Sequence, residues 1–154
     1  MNEATRPAVL TGGCQCGAVR YALYAEPDVG ICHCRMCQKA TGGLFLAAAG
    51  VPLAQFAWTR GQPAVFQSSS VAERGYCRDC GTPLFFRYLA KDKIDVTIGS
   101  LDDPAAAKPA SQVGVESRVA WWRELFDLPG RTTEQDPPPG GLEGMQKYQH
   151  QGEA

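Results

Sequence analysis

Residues 74–87 read RGYCRDCGTPLFFR, and in this stretch Cys77 and Cys80 are followed at once by Gly81 and then by a run of strand-forming residues. A Cys-x-x-Cys-Gly turn suits a metal knuckle. Its loop must curl until both sulfurs and nearby backbone N–H groups converge, and Gly accepts the positive φ this can require. Far upstream the chain carries a tighter version, Cys14-Gln-Cys16-Gly17. One such pair alone says little. Two pairs far apart, each opening into a strand, make one closed four-cysteine site that clamps distant strands. Structural zinc sites contribute on the order of 10 kcal/mol or more in small metal-folded peptides, large against a usual net domain stability of about 5–15 kcal/mol. Ordinary buried thiols are the plainer reading of these four residues, and the paired spacing argues against it.

The other three cysteines lie in ICHCRMCQKATG, residues 31–42, as Cys32, Cys34 and Cys37. A soft four-coordinate metal needs one more ligand. His33 is the nearest donor, but in an extended segment alternate side chains point to opposite faces, so sulfurs sharing a metal would aim it away. His33 then reads as a polar neighbour of the site. The other histidine, His150, falls close to the end of the sequence. Three protein ligands plus water or substrate is the arrangement of catalytic zinc, and three thiolates closed by a carboxylate is the structural alternative.

With 154 residues, 44% hydrophobic and 20% charged, the chain is expected to be one ordinary domain with a real core. A formal net charge of −1 gives no electrostatic case for nucleic acid or an anionic membrane as partner. No apolar run approaches the roughly 20 residues of a membrane helix, and MNEATRPAVLTGG lacks the features of a secretory signal, so a cytoplasmic address is expected. In a reducing compartment seven clustered cysteines point to metal ligation rather than to a disulfide framework.

Turn signals alternate with short β-rich segments. AVRYALYA (18–25) places Val19, Tyr21 and Leu23 on one face and Arg20 and Tyr24 on the other, the pattern of a half-buried strand. LFLAAAGV, FAWTRG, AVFQSS, RGYC, PLFFRYL, KIDVTIGSL and VGVES read as further strands, and only CQKATGG and WWRELF as short helical turns. The fold class expected is all-β, an antiparallel two-sheet domain over residues 1–130. Residues 131–154, rich in Pro and Gly and poor in apolar side chains, are expected to be a flexible tail.

GGCQCGAVRYAL (12–23), CHCRMCQKATGG (32–43), RGYCRDCGTPLFFR (74–87) and IDVTIGSLDDP (94–104) together resemble the glutathione-dependent formaldehyde-activating enzyme family, which also includes relatives of centromere protein V. The resemblance implies an all-β "tent" fold with up to two zinc ions. In it Cys14, Cys16, Cys77 and Cys80 hold a structural zinc, and Cys32, Cys34 and Cys37 hold a catalytic one. The implied reaction is that of a carbon–sulfur lyase joining a thiol, glutathione, to formaldehyde, so the partners expected are a small thiol and an aldehyde. Arg35 and Lys39 beside the second site, and more remotely Arg60, Arg78 and Arg87, are candidates for receiving glutathione's carboxylates. Against the family pattern, QVGVESR (112–118) puts Gln112 where a histidine is usual and Gly114 where an aromatic is usual. The substrate pair and the oligomeric state therefore stay open. The alternative function is a non-catalytic, zinc-stabilised protein-binding module, for which Trp121 and Trp122 would be the interaction patch unless they close the core.

Overall fold

The computed structural model describes residues 6–150 and 152. In chain order its elements are β1 (Leu10–Gly13), β2 (Arg20–Leu23), β3 (Asp28–Cys32), helix α1 (Arg35–Thr41), β4 (Leu46–Pro52), β5 (Phe56–Arg60), β6 (Ala64–Ser69), β7 (Ala72–Tyr76), β8 (Pro83–Tyr88), β9 (Lys93–Thr97) and β10 (Ser111–Val113), with short 3-10 turns between and after them. The all-β expectation therefore holds. The strands form a three-stranded sheet, β1-β2-β5, and a seven-stranded sheet in the order β10-β3-β4-β9-β8-β7-β6.

Every pairing is antiparallel except one: β10 returns parallel to β3, with Ser111 opposite Gly30 and Val113 opposite Cys32. The long crossover that a parallel pair requires is supplied by everything between residues 33 and 110.

Alternating apolar residues of both sheets make the core. Leu23, Ala49, Val51, Leu84 and Val96 are completely buried, and the aromatic rings of Tyr21, Phe56 and Trp58 on the small sheet meet Phe85 on the large one, with Trp58 and Phe85 centroids 5.9 Å apart. Such offset and edge contacts add to what burial alone contributes.

Several segments differ from the sequence expectation, each for a local reason. Strand β2 is buried on both faces, not one. Arg20 tolerates this because the Asp102 carboxylate takes both guanidinium ends, at 2.7 and 2.5 Å. The 93–101 run stops as a strand at Thr97, where Ile98–Ser100 curls into a 3-10 turn capped by Ser100 Oγ donating to the Thr97 carbonyl. VGVES is a strand only at Val113, because Gly114 turns left-handed and Val115–Ser117 is a 3-10 turn. CQKATGG lies largely within α1, and WWRELF within a 3-10 segment, Ala120–Asp127. β1 and β3 lie outside the strands that the sequence leads one to expect.

Residues 131–150 contain neither helix nor strand. Their far end nonetheless reaches the body, where the His150 backbone N–H donates to the Gln15 carbonyl at 2.7 Å.

Candidate functional site

The seven cysteines gather into two clusters of four and three, in each of which the sulfurs lie within 4.8 Å of one another. The four are Cys14 and Cys16, in the turn after β1, and Cys77 and Cys80, in the turn between β7 and β8. Both turns close the same way: Gly17 N–H donates to the Cys14 carbonyl and Gly81 N–H to the Cys77 carbonyl, at 3.0 and 2.9 Å, with both glycines near φ +78°. A side chain at either would be strained, so glycine allows the curl that gathers the sulfurs.

The Cys14 and Cys16 sulfurs are 3.5 Å apart, and those of Cys16 and Cys77 3.8 Å. Metal–sulfur bonds of about 2.3 Å in a tetrahedron put sulfurs about 3.8 Å apart, so the donor set fits a zinc-type ion. Neutral groups also address the sulfurs. Val19 N–H points to Cys14 at 3.2 Å, and the Thr82 hydroxyl lies 3.2 Å from Cys80. Burial pushes the Cys77 thiol up to about 12. At Cys80 burial also opposes ionisation, but the Thr82 hydroxyl and the N–H groups of Thr82 and Cys16 outweigh it and draw the thiol down to about 6.

In the second cluster Cys32 ends β3, Cys34 caps α1, and Cys37 lies in the first turn of α1, where its N–H donates to the Cys34 sulfur at 3.4 Å. Burial pushes Cys32 up to about 12. Cys34 moves down despite burial, because the Cys37 N–H and the neighbouring thiols stabilise its anion. Each cluster thus contains one sulfur that ionises ahead of others. Among the described residues no fourth His, Cys, Asp or Glu joins the three.

His33 is fully buried and turned from the sulfurs, as alternation requires. Its Nε2 sits 3.0 Å from Gln112 Oε1, and its ring packs edge-on against Trp122 at 5.1 Å. A proton on Nε2 satisfies that amide oxygen and leaves Nδ1 buried without a partner. Gln38 ties the loop down by donating to the carbonyls of His33 and Ser117, at 2.7 and 3.0 Å. Trp122 therefore closes the packing beneath the site, whereas Trp121 stays largely exposed.

The three cysteines open onto a cavity of about 390 Å³, mostly apolar, walled by Val71, Phe86, Tyr88 and Val113. Its cations are Arg74, Lys91 and Lys93. None of Arg35, Lys39, Arg60, Arg78 and Arg87 lines it. Arg35 Nη1 donates to Gln38, Arg87 pairs with Glu73 at 2.6 Å, and Arg60 reaches the Gly17 carbonyl. Lys93 is held between Asp28 and Asp95, at 3.3 and 3.1 Å, and Lys91 lies over the Tyr88 ring at 5.2 Å. Nothing local in the sequence distinguishes these three cations from the five; strand pairing brings them to the cavity.

A solved structure of a Rhodobacter sphaeroides protein is similar to this chain with a TM-score of 0.55 and 23% identity, covering 68% of this chain and all of that one, a likeness of fold. An uncharacterized lyase of Schizosaccharomyces pombe is 35% identical over 86 residues, half of this chain and 56% of that protein's length. The family model for glutathione-dependent formaldehyde-activating enzyme matches residues 9–117, a span that contains both cysteine clusters. With that span matched and the cysteines gathered as they are, the chain belongs to the glutathione-dependent formaldehyde-activating enzyme family.

Proposed function

We propose that the chain is a zinc-dependent carbon–sulfur lyase that joins a thiol, glutathione, to a small aldehyde such as formaldehyde. Cys14, Cys16, Cys77 and Cys80 would hold a structural zinc, and Cys32, Cys34 and Cys37 a second one at the reaction site. The observation that carries this reading is the cluster of three thiols, without a fourth protein ligand among the described residues, opening onto a cavity large enough for a tripeptide. An all-sulfur donor set suits zinc.

A bound zinc would hold an incoming thiol as its thiolate near neutral pH. The reaction itself is an addition without redox change. The thiol sulfur bonds to the carbonyl carbon, the carbon–oxygen π pair moves to oxygen, and oxygen takes up the proton that the thiol releases. A free thiol with pKa about 8.5 is already a few per cent ionised near pH 7, so ionisation supplies at most some tens of fold. Positioning must supply the rest. The walls do this: Phe86, Val71 and Val113 offer apolar surface to the thiol's carbon chain, and Lys91, with no carboxylate partner among the described residues, offers an ammonium to a substrate carboxylate. Lys93, already balanced by Asp28 and Asp95, shapes the rim.

The test is exchange NMR of formaldehyde and glutathione with purified chain of known zinc content. Exchange faster than in buffer, lost in Cys34→Ser and reduced several-fold in KM terms by Lys91→Ala, is the expected result. A rate equal to buffer, with no zinc-dependent glutathione binding, overturns the reading.

A further inference from the structure

Arg74 has no task in the reaction just described, yet it is the most deeply placed cation of the cavity. It is 6% exposed, and its Nη2 donates to the Cys37 sulfur at 3.3 Å. Its guanidinium carbon lies 4.8 Å from the Phe86 ring centroid. Its Nε is buried without a hydrogen-bond partner, and no carboxylate pairs with it among the described residues. An uncompensated buried cation is costly, so its counter-charge has to come from a group within reach. The cysteine sulfurs are those groups.

The two clusters differ in this respect. The sulfur contacts described for the four-cysteine site come from neutral N–H and hydroxyl groups. That site is complete, and needs no more than to be satisfied. The three-cysteine site has a cation built against one of its sulfurs. A divalent ion on three thiolates carries a net charge of −1, and a fourth thiolate would make it −2, so the centre by itself resists the ligand it is meant to capture. A guanidinium bonded to Cys37 offsets one unit of that charge in a water-poor setting, where charge counts most. It also draws electron density from the Cys37 sulfur, leaving an ion there more receptive to another anion.

We propose that Arg74 is a positioning residue that makes the three-cysteine centre prefer an anionic fourth ligand, a thiolate, over a neutral one such as imidazole. This rests on the reading that the centre binds metal and captures a thiol. The guanidinium acts through Cys37 and through its charge and does not itself touch the aldehyde.

Cobalt substitution of the full chain gives sulfur-to-metal absorption bands that report fourth-ligand binding without turnover. Glutathione and imidazole are titrated separately into wild type, Arg74→Met, which keeps the length and the packing on Phe86 but drops the charge, and Arg74→Lys, which keeps the charge. In Arg74→Met the glutathione affinity should fall roughly ten- to hundredfold, the range expected for a charge-assisted hydrogen bond, while imidazole affinity changes less than about threefold. Arg74→Lys should retain most of the preference. Equal change for both ligands, no change for either, or a Lys variant that behaves like the Met one overturns the proposal. Should Arg74→Met fail to fold, Arg74→Gln carries the same comparison. A wild-type centre that takes imidazole and no thiol overturns the thiol reading itself, a failure visible before any variant is made.

Discussion

Gly114 sits at φ +65°, and a methyl group on it would lie 2.9 Å from the Cys34 nitrogen. The position is pressed against a cysteine of the open cluster. Gly114→Ala should therefore cost about 1–2 kcal/mol in backbone strain and displace Cys34 as well. Melting and zinc analysis should show a lower melting temperature and partial loss of the second metal, with the four-cysteine metal retained. A second residue-scale test concerns Asp102, whose carboxyl is held below its ordinary range by the bond from Arg20 and by the Thr11 hydroxyl at 2.6 Å. Because the folded value is depressed, the stabilisation is fully present above the unfolded pKa near 3.9 and disappears as pH falls through the lower folded value. Asp102→Asn should lose about 1–3 kcal/mol at pH 7, the buried-pair cost discounted for an acid about a quarter exposed. Its acid denaturation profile should also be flatter than wild type below about pH 4. An unchanged profile would show that the pair matters less than its geometry suggests. At this scale the sequence displayed the cysteines through their spacing, and His33 through its place between two of them. It concealed Arg74, because RGYC reads as a strand entering a knuckle and nothing local marks its arginine as more buried than Arg78, four residues on.

Short elements carry the open cluster, and α1 owes its start to one of the cluster's cysteines. Cys34 is both the cap of α1, accepting from Cys37 N–H, and a member of the cluster. Serine can cap and alanine cannot, so in metal-free protein Cys34→Ala should be about 1 kcal/mol less stable than Cys34→Ser, with both losing the second metal. Equal stabilities in denaturant titration would separate the sulfur from the helix. The strands legible in advance were those with dense β-branched or aromatic residues, such as PLFFRYL and FAWTRG. β1, Leu-Thr-Gly-Gly, has almost no intrinsic strand preference and exists through its pairing with β2. β3, Asp-Val-Gly-Ile-Cys, is interrupted by a glycine, which weakens its strand signal. The parallel docking of β10 was beyond local reading altogether, because Ser-Gln-Val states nothing about which edge it will join.

For the whole molecule, the four-cysteine cluster ties the turn after β1, in the small sheet, to the turn between β7 and β8, in the large one. The three-cysteine cluster lies within six consecutive positions. Cys77→Ser should accordingly broaden or abolish cooperative melting, whereas Cys34→Ser should shift it by only a few degrees. Similar losses from both would remove the proposed division of labour. The proposed tail is tested by ending the chain after Arg131. The His150 N–H bond to the Gln15 carbonyl and the packing of its ring beside Gly17 are together worth about 1–2 kcal/mol, so the melting temperature should fall by no more than about 8 °C and metal content should not change. The parallel return of β10 onto β3 also has a meaning in time. On the ribosome Cys32, Cys34 and Cys37 are made about 75 residues before β10, which pairs with Cys32 on the side opposite β4, a lag of roughly 4–15 s at usual elongation rates. For about the first half of that interval, until Arg74 is made, the three neighbouring thiols have neither Arg74 nor β10 beside them, the stage at which a soft metal or an oxidant meets them with least competition.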